Sequence, residues 1–399
     1  MHEENYKNRA TTDAAARGMK NGWRMVKFGD VVECTNLVER DALAAGLERY
    51  VGLEHIEPES LHIKSWGLVK DGTSFTRKFV KGQVLFGKRR AYQRKVAVAE
   101  FDGICSSDIL TLQPKDDELI PELLPFIVQS DGFFDHALGT SAGSLSPRTK
   151  WSQLKEYAFP LPPKDEQRRI ADILWAADEA ADKYRDAQVG LEQTMVVFRD
   201  ETFGRNKWPK RPLHELFDVQ LGKMLSPKSK SGTCPKPYLA NANVQWGYFD
   251  LSSISTMDFD AAEFEKFRLR PGELIVCEGG EVGRSAMWRG EIECCCYQKA
   301  LHRLRPVSEC MTADLMLEFM NWAAKKGLFA SLTGHSTIAH LTAVKLKALS
   351  VPVPPKREQE CVLVSFHALR SAIEELQTHL HVLSGLKNAL LTMTWGKRP

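Results

Sequence analysis

The chain spells out one connector twice. Residues 159–167 read Phe-Pro-Leu-Pro-Pro-Lys-Asp-Glu-Gln, and residues 351–359 read Val-Pro-Val-Pro-Pro-Lys-Arg-Glu-Gln. Pro160, Pro162, Pro163, Lys164, Glu166 and Gln167 recur 192 positions later as Pro352, Pro354, Pro355, Lys356, Glu358 and Gln359. Solenoid repeats have periods of about 20–50 residues, so a period this long means two whole domains, each followed by the same connector. The match continues upstream. Ile104–Pro114 falls on Cys296–Pro306 at the same offset, Lys81–Leu85 on Pro271–Ile275 at 190, and Val26–Val31 on Arg211–Leu216 at 185. Small offset changes are what insertions in surface loops produce. Two similar but non-identical halves can touch two similar but non-identical targets.

After each connector the apolar residues alternate at spacings of three and four. The first seam is Ile170, Leu174, Ala177, Ala181, Tyr184, Gln188, Leu191, Met195 and Phe198. The second is Val362, Phe366, Leu369, Ile373, Leu376, Leu380, Leu383, Lys387 and Leu390, and every position pairs with one of the first at offset 192. This spacing, sustained over four heptads, argues for coiled-coil helices. The connector explains where they start. Proline fits the first turn of a helix and not its interior, and Glu166 and Glu358 fall where the helix dipole favours an acid. Each helix can run about 35–40 residues, about 55–60 Å. A single such helix would be expected to pack on its own domain, but two matched helices in one chain bury their seams against each other. The small Ala177 and Ala181 stand where the other helix has Leu369 and Ile373, a pattern that suits a two-helix core.

Composition narrows the class. A chain of 399 residues with 43% hydrophobic content supports two globular domains. No stretch approaches the roughly 20 apolar residues of a membrane span. Met1–Lys20 is polar and carries Arg9, Arg17 and Lys20; it reads as a loose N-terminal arm, not a signal peptide. The nine cysteines form no Cys-x-x-Cys pair, and Cys294-Cys295-Cys296 read as part of a strand. Reduced, buried thiols in a cytoplasmic protein are therefore expected, with no metal site. A net charge of +3 neither demands nor forbids nucleic acid, because local patches matter more than totals.

Several catalytic motifs are missing. Gly-x-Gly-x-x-Gly, the phosphate-binding loop and His-Glu-x-x-His are absent from the sequence. So are the Asn/Asp-Pro-Pro-aromatic tetrapeptide of adenine methyltransferases and a nuclease carboxylate cluster. The expectation is a binding protein without chemistry or cofactor of its own.

Two loop devices recur. In the first half the strand Gln83–Phe86 runs into Gly87-Lys88-Arg89-Arg90-Ala91-Tyr92-Gln93-Arg94-Lys95. In the second, Ile275–Cys277 runs into Glu278-Gly279-Gly280-Glu281-Val282-Gly283-Arg284. Charge delivered by such a turn suits phosphates and guanine edges. Taken alone, a charged turn is more simply a solvated hairpin; its recurrence favours the binding role. Just before each connector lies a loop of glycine and small hydroxyl residues, Gly139–Ser146 and Ser331–Ile338. Its short donors and bare backbone N–H groups can approach a phosphate backbone, although an ordinary loop and helix cap reads the same way. The candidate DNA-binding residues are Lys88, Arg89, Arg90, Arg94, Lys95 and Ser144 in the first half, and Arg284, Lys299, His335 and Ser336 in the second.

Two domains of about 150 residues, of the size usual for single domains, open on Trp23 and Trp208 and end in a Gly/Ser/Thr loop, a Pro-x-Pro-Pro-x-x-Glu-Gln box and a long helix. From about residue 22 to 395 this resembles the specificity subunit of type I restriction–modification systems. The second helix departs from the pattern at Cys361-Val362-Leu363-Val364, where the first has Arg169-Ile170-Ala171.

The resemblance implies an α+β protein in which two mixed α/β target-recognition domains are joined by two long antiparallel coiled-coil helices, related by a pseudo-twofold internal repeat. Its parts would be an N-terminal arm over 1–20, a first recognition domain over 21–158, a central spacer helix over 159–205, a second recognition domain over 206–350 and a C-terminal spacer helix over 351–399. It further implies that the domains read two half-sites of an asymmetric double-stranded DNA sequence. The helices would set the gap and dock two modification subunits and two restriction subunits. S-adenosylmethionine, ATP and Mg2+ would sit on those partners. A disguised nuclease or methyltransferase would instead be active alone, and a coiled-coil adaptor would not retain DNA.

Overall fold

The computed structural model describes residues 20–143, 145–226, 229, 232–307, 309–333 and 340–396, with the side chains of 331–333 excluded. The expected N-terminal arm therefore lies almost wholly outside the described residues. The fold is mixed α and β, with two helices of 40 residues each, Lys164–Phe203 and Lys356–Trp395. The chain forms two compact units, 1–187 with 376–399 and 188–375, so each long helix contributes to both.

In the first unit the entering strand Arg24–Lys27 pairs antiparallel with Ala158–Leu161, at the connector. A four-stranded antiparallel sheet follows in the order Val32–Thr35, Ile109–Pro114, Val84–Gly87, Val96–Val98. A second sheet of four strands contains one parallel pair, Arg49–Val51 with Gly103–Cys105. Val84, Leu85 and Phe86 are all buried, so this strand reads as a continuous apolar run, not an alternating one. The turn before it needs Gly82, whose φ of 90° is left-handed. Its N–H donates to the Ala99 carbonyl at 2.8 Å.

The second unit repeats this order. Lys210–Pro212 pairs with Ser350–Pro352. Its four-stranded sheet runs Phe217–Leu221, Leu301–Pro306, Glu273–Cys277, Ser285–Trp288. Its second sheet has three strands, again with one parallel pair, Pro235–Leu239 with Cys296–Tyr297. Gly272 repeats the turn, with φ at 87° and its N–H on the Trp288 carbonyl at 2.8 Å.

The repeated connector is a clamp. Gln167 is buried, and its amide donates to the carbonyls of Glu118 and Pro162, both at 2.9 Å, while its oxygen accepts from Ile120 N at 3.0 Å. Gln359 does the same with Cys310 O at 2.6 Å, Pro354 O at 2.9 Å and Thr312 N at 3.4 Å. Trp23 Nε1 donates to Glu166 at 2.7 Å, and Trp208 Nε1 to Glu358 at 3.1 Å. Lys164 reaches Asp117 and Lys356 reaches Glu309, both at 2.6 Å. The repeated letters of the box therefore fasten each helix start to its own domain. A buried amide with every hydrogen bond made holds one geometry and penalises the others.

Along the helices the two seams lie inward. Leu174, Ala177, Ala181, Met195, Phe366 and Leu391 are buried. Ile170, Tyr184, Leu191, Phe198, Leu369, Ile373, Leu376, Leu380 and Leu383 are half-buried. In the first unit Leu174 shares a core with Leu391 and Trp395, and Tyr184 stacks on His379 with ring centres 5.3 Å apart. Between these contacts, Lys387 bonds buried Asp178 at 2.5 Å. Position rises on one helix as it falls on the other. In the second unit Phe198 and Phe203 pack on Phe366, with centres 4.6 and 6.4 Å away. Here the buried ion is Glu318, which takes Arg199 at 2.7 Å and also Arg370.

Two cysteine expectations need correction. Cys234, Cys294, Cys310 and Cys361 are exposed, so not all the thiols are core residues, although none of the nine is in a disulfide. The strand begins only at Cys296, because Cys294 adopts a left-handed φ of 55° that no strand accommodates. Where a thiol is buried its pKa rises: desolvation pushes Cys105, Cys295 and Cys296 up to about 12.

Candidate nucleic-acid interface

In the first unit the two recurring loops meet. The strand Val84–Gly87 delivers Lys88, whose N–H donates to the Asp108 carbonyl at 2.9 Å and whose carbonyl accepts from Thr149 N at 3.1 Å. Arg90 N donates to Pro147 O at 2.8 Å, and Arg89 Nε donates to Ser146 Oγ at 2.6 Å. The basic turn is thus stitched to the Gly/Ser loop by backbone and side-chain bonds. Arg148 closes on Asp108 with two bonds, at 2.8 and 3.2 Å, and Arg89 lies 3.6 Å from the same carboxylate. The Arg148 bond holds the Asp108 carboxyl below its ordinary pKa. Lys88 is half-buried, and burial followed by the nearby Arg77 pulls its ammonium below its usual value. Lys88, Arg89 and Arg148 therefore gather around one carboxylate, with Arg77 close to Lys88, leaving an excess of positive charge that suits a polyanion.

The predicted basic residues divide into two groups. Arg90 is exposed, and its side chain has no partner among the described residues. Arg94 is used internally: it donates to the Gln129 carbonyl at 2.7 Å, pairs with Asp131 at 2.9 Å and lies 4.4 Å over the Phe134 ring. Lys95 Nζ caps the Leu53 carbonyl at 2.6 Å. Both anchor the turn. Ser144 lies outside the described residues. Arg148 and Arg77 join the cluster without having been singled out from the sequence. Arg148 directly follows the Gly/Ser loop and Pro147, which was the available signal; Arg77 comes from a separate strand and had none.

The second unit keeps the junction and changes its chemistry. Leu341 N donates to the Glu278 carbonyl at 2.7 Å, the counterpart of the Thr149–Lys88 bond. Arg284 turns inward: it donates to the Asn241 carbonyl at 2.9 Å, and its side chain is only 16% exposed. Lys299 is exposed, with no side-chain partner among the described residues. His335 and Ser336 lie outside the described residues. Leu341 is also held by His302, fully buried, whose Nε2 donates to the Leu341 carbonyl at 2.8 Å. That bond requires the Nε2–H tautomer, and Nδ1 is buried without a partner among the described residues.

Burial lowers the His302 pKa from its ordinary 6.5. The unfolded chain therefore takes up this proton first as pH falls. The stability contribution is complete above pH 6.5 and is lost progressively below it. We expect the unfolding midpoint of the second unit to fall between pH 7 and 5.5, and to fall less in His302→Leu, which copies Leu110 of the first unit. Equal pH slopes in denaturant titrations of both proteins would assign the loss to other groups.

Among the described residues no cluster of three or more histidine, cysteine or acidic side chains could hold a metal, and no helix is long and apolar enough to cross a membrane. In the first unit a cation cluster lies beside short hydroxyl and backbone donors, a chemistry that suits a polyanion. Comparison with known proteins agrees. The model of the type I restriction modification DNA specificity domain matches residues 20–189 and again 205–381, and the chain belongs to that family. It is 29% identical over 171 residues to the specificity subunit of the type I restriction enzyme EcoDI of Escherichia coli. It is 26% identical over 181 residues to that of MjaIX of Methanocaldococcus jannaschii. Those stretches cover 40% and 42% of this chain and only 36% and 41% of the two relatives. Its fold is that of the type I restriction–modification S subunit of M. genitalium, with a TM-score of 0.62 at 15% identity over 96% of this chain and 98% of that one. A second solved chain, from a study of complex assembly in the type I R-M system, gives 0.58 at 20% identity over 94% and 98%.

Proposed function

We propose that this chain is the DNA-specificity subunit of a type I restriction–modification complex and performs no chemistry itself. The observation that carries this is the repeated junction, in which a strand-end turn is bonded to the segment that follows the Gly/Ser-type stretch, Lys88 to Thr149 in the first unit and Glu278 to Leu341 in the second. Each recognition domain, 21–158 and 206–350, reads one half of a bipartite site. Because the cations at the two junctions differ, the site is asymmetric. The helices over 159–205 and 351–399 form an antiparallel coiled coil that relates the domains by a pseudo-twofold and sets the gap between half-sites. The opposed order of contacts between the helix segments of the first unit supports this arrangement. Two modification subunits dock along the helices and domains and methylate adenine N6 with S-adenosylmethionine. Two restriction subunits add ATP- and Mg2+-dependent translocation and cleavage in the cytoplasm. Exposed apolar side chains such as Val189, Val197, Val364 and Val382 offer these subunits contact area.

Methylome sequencing of a host carrying this chain and its modification partner tests the reading. A bipartite N6-methyladenine motif is expected, with half-site centres about one helical turn, or 10 base pairs, apart. Adding four residues to both helices should lengthen the gap and leave the half-sites alone. Altered half-site bases with an unchanged gap would contradict the spacer role.

A further inference from the structure

We infer that Tyr92 is a specificity-determining residue of the first recognition domain, reading DNA through its ring. The inference rests on the DNA-specificity reading and adds a contact of a different chemical kind. Tyr92 sits at the middle of a single 3-10 turn, Ala91–Gln93, at the tip of the basic loop. Its side chain is 56% exposed and has no hydrogen-bond or ring partner among the described residues. A lone exposed aromatic needs no explanation in general. This one is different because of the backbone that holds it.

The turn is bracketed by two non-glycine residues in the left-handed region, Arg90 with φ of 54° and Arg94 with φ of 52°. That conformation is unfavourable for a residue with a Cβ, and it persists only where the surroundings over-determine it. They do so here. Arg90 N is bonded to Pro147 O, Ala91 is buried beneath the turn, and the Arg94 guanidinium is fixed by Gln129, Asp131 and the Phe134 ring. The result is a rigid tip that lifts an aromatic side chain off the domain, beside exposed Arg90. Holding it there in the free protein means that little ordering is left for the binding step. The cations around Asp108 suit phosphates and guanine edges, whereas a ring suits base faces or the thymine methyl. The matching turn of the second unit puts glycines, Gly280 and Gly283, at its left-handed positions and carries no aromatic between them. The device is therefore particular to the first half-site.

The test uses the full chain assembled with its modification partner, methylating a library randomised across both half-sites. Tyr92→Ala should lose at least fivefold discrimination at one or two adjacent positions of the first half-site. The second half-site and the salt dependence should be unchanged, and Tyr92→Phe should behave as wild type. Thermal unfolding of the variants should match wild type, since the side chain is exposed. A Tyr92→Ala complex with the wild-type motif and rate would overturn the inference. Equal losses in Tyr92→Ala and Tyr92→Phe would place the contact on the hydroxyl and overturn the assignment to the ring. A uniform loss across all sequences with a shallower salt slope would make it a phosphate contact, also overturning it. If wild type shows no sequence preference, the specificity reading fails, and this inference fails with it.

Discussion

Replacing Glu318 with leucine is expected to destabilise the second unit by about 3–5 kcal/mol, the usual cost of removing one partner of a buried ion pair. Glu318 is 1% exposed and receives both Arg199 and Arg370. Without it, two guanidinium groups with side chains only 12% and 29% exposed face each other without a counter-charge. Glu318→Gln keeps the shape and the acceptor but not the charge, and should lie between the two. The measurement is the denaturant midpoint at constant slope. A shift below about 1 kcal/mol, the range of an ordinary surface change, would show that the arginines reach solvent or other acceptors.

The second large effect belongs to recognition. Arg89→Ala in the assembled methyltransferase should weaken the first half-site by about 1–3 kcal/mol if the guanidinium meets a guanine edge. If it meets a phosphate, all sequences should weaken together and the salt slope should drop by about one unit. In either case the preference at the half-site read by the second domain must not move. The mutation also releases Ser146 and one of the cations near Asp108, so some loosening of the Gly/Ser loop accompanies it. A change confined to the distal half-site would reverse the assignment of domains to half-sites.

Some of this architecture was legible in the sequence because repetition removes ambiguity. A helix period is hard to trust once and easy to trust when it recurs in register, so the seams from Ile170 and Val362 could be read directly. The meeting of the two loops was not legible, since it depends on the bond between Thr149 and Lys88, 61 positions apart. Nor was the division among the basic residues. Lys88, Arg94 and Lys95 look alike in a run of cations, and only tertiary contacts decide that Arg94 lies over Phe134 while Arg90 points outward. The cores of the helix segments were also underread. Asp178 falls one place after a seam alanine and looks like a surface acid, yet it is 2% exposed because Lys387 and the domain close over it.

The glutamine clamps have a mechanical consequence. Gln167 and Gln359 fix the first turn of each long helix to its own domain, so within a unit the domain cannot swivel about the helix axis. Along an α-helix one residue adds about 1.5 Å and about 100° together. Length and phase are then geared to each other: each added residue carries the attached domain forward and around at once. If the helices set the gap between half-sites as proposed, that gap is graduated in turns of helix rather than in ångströms.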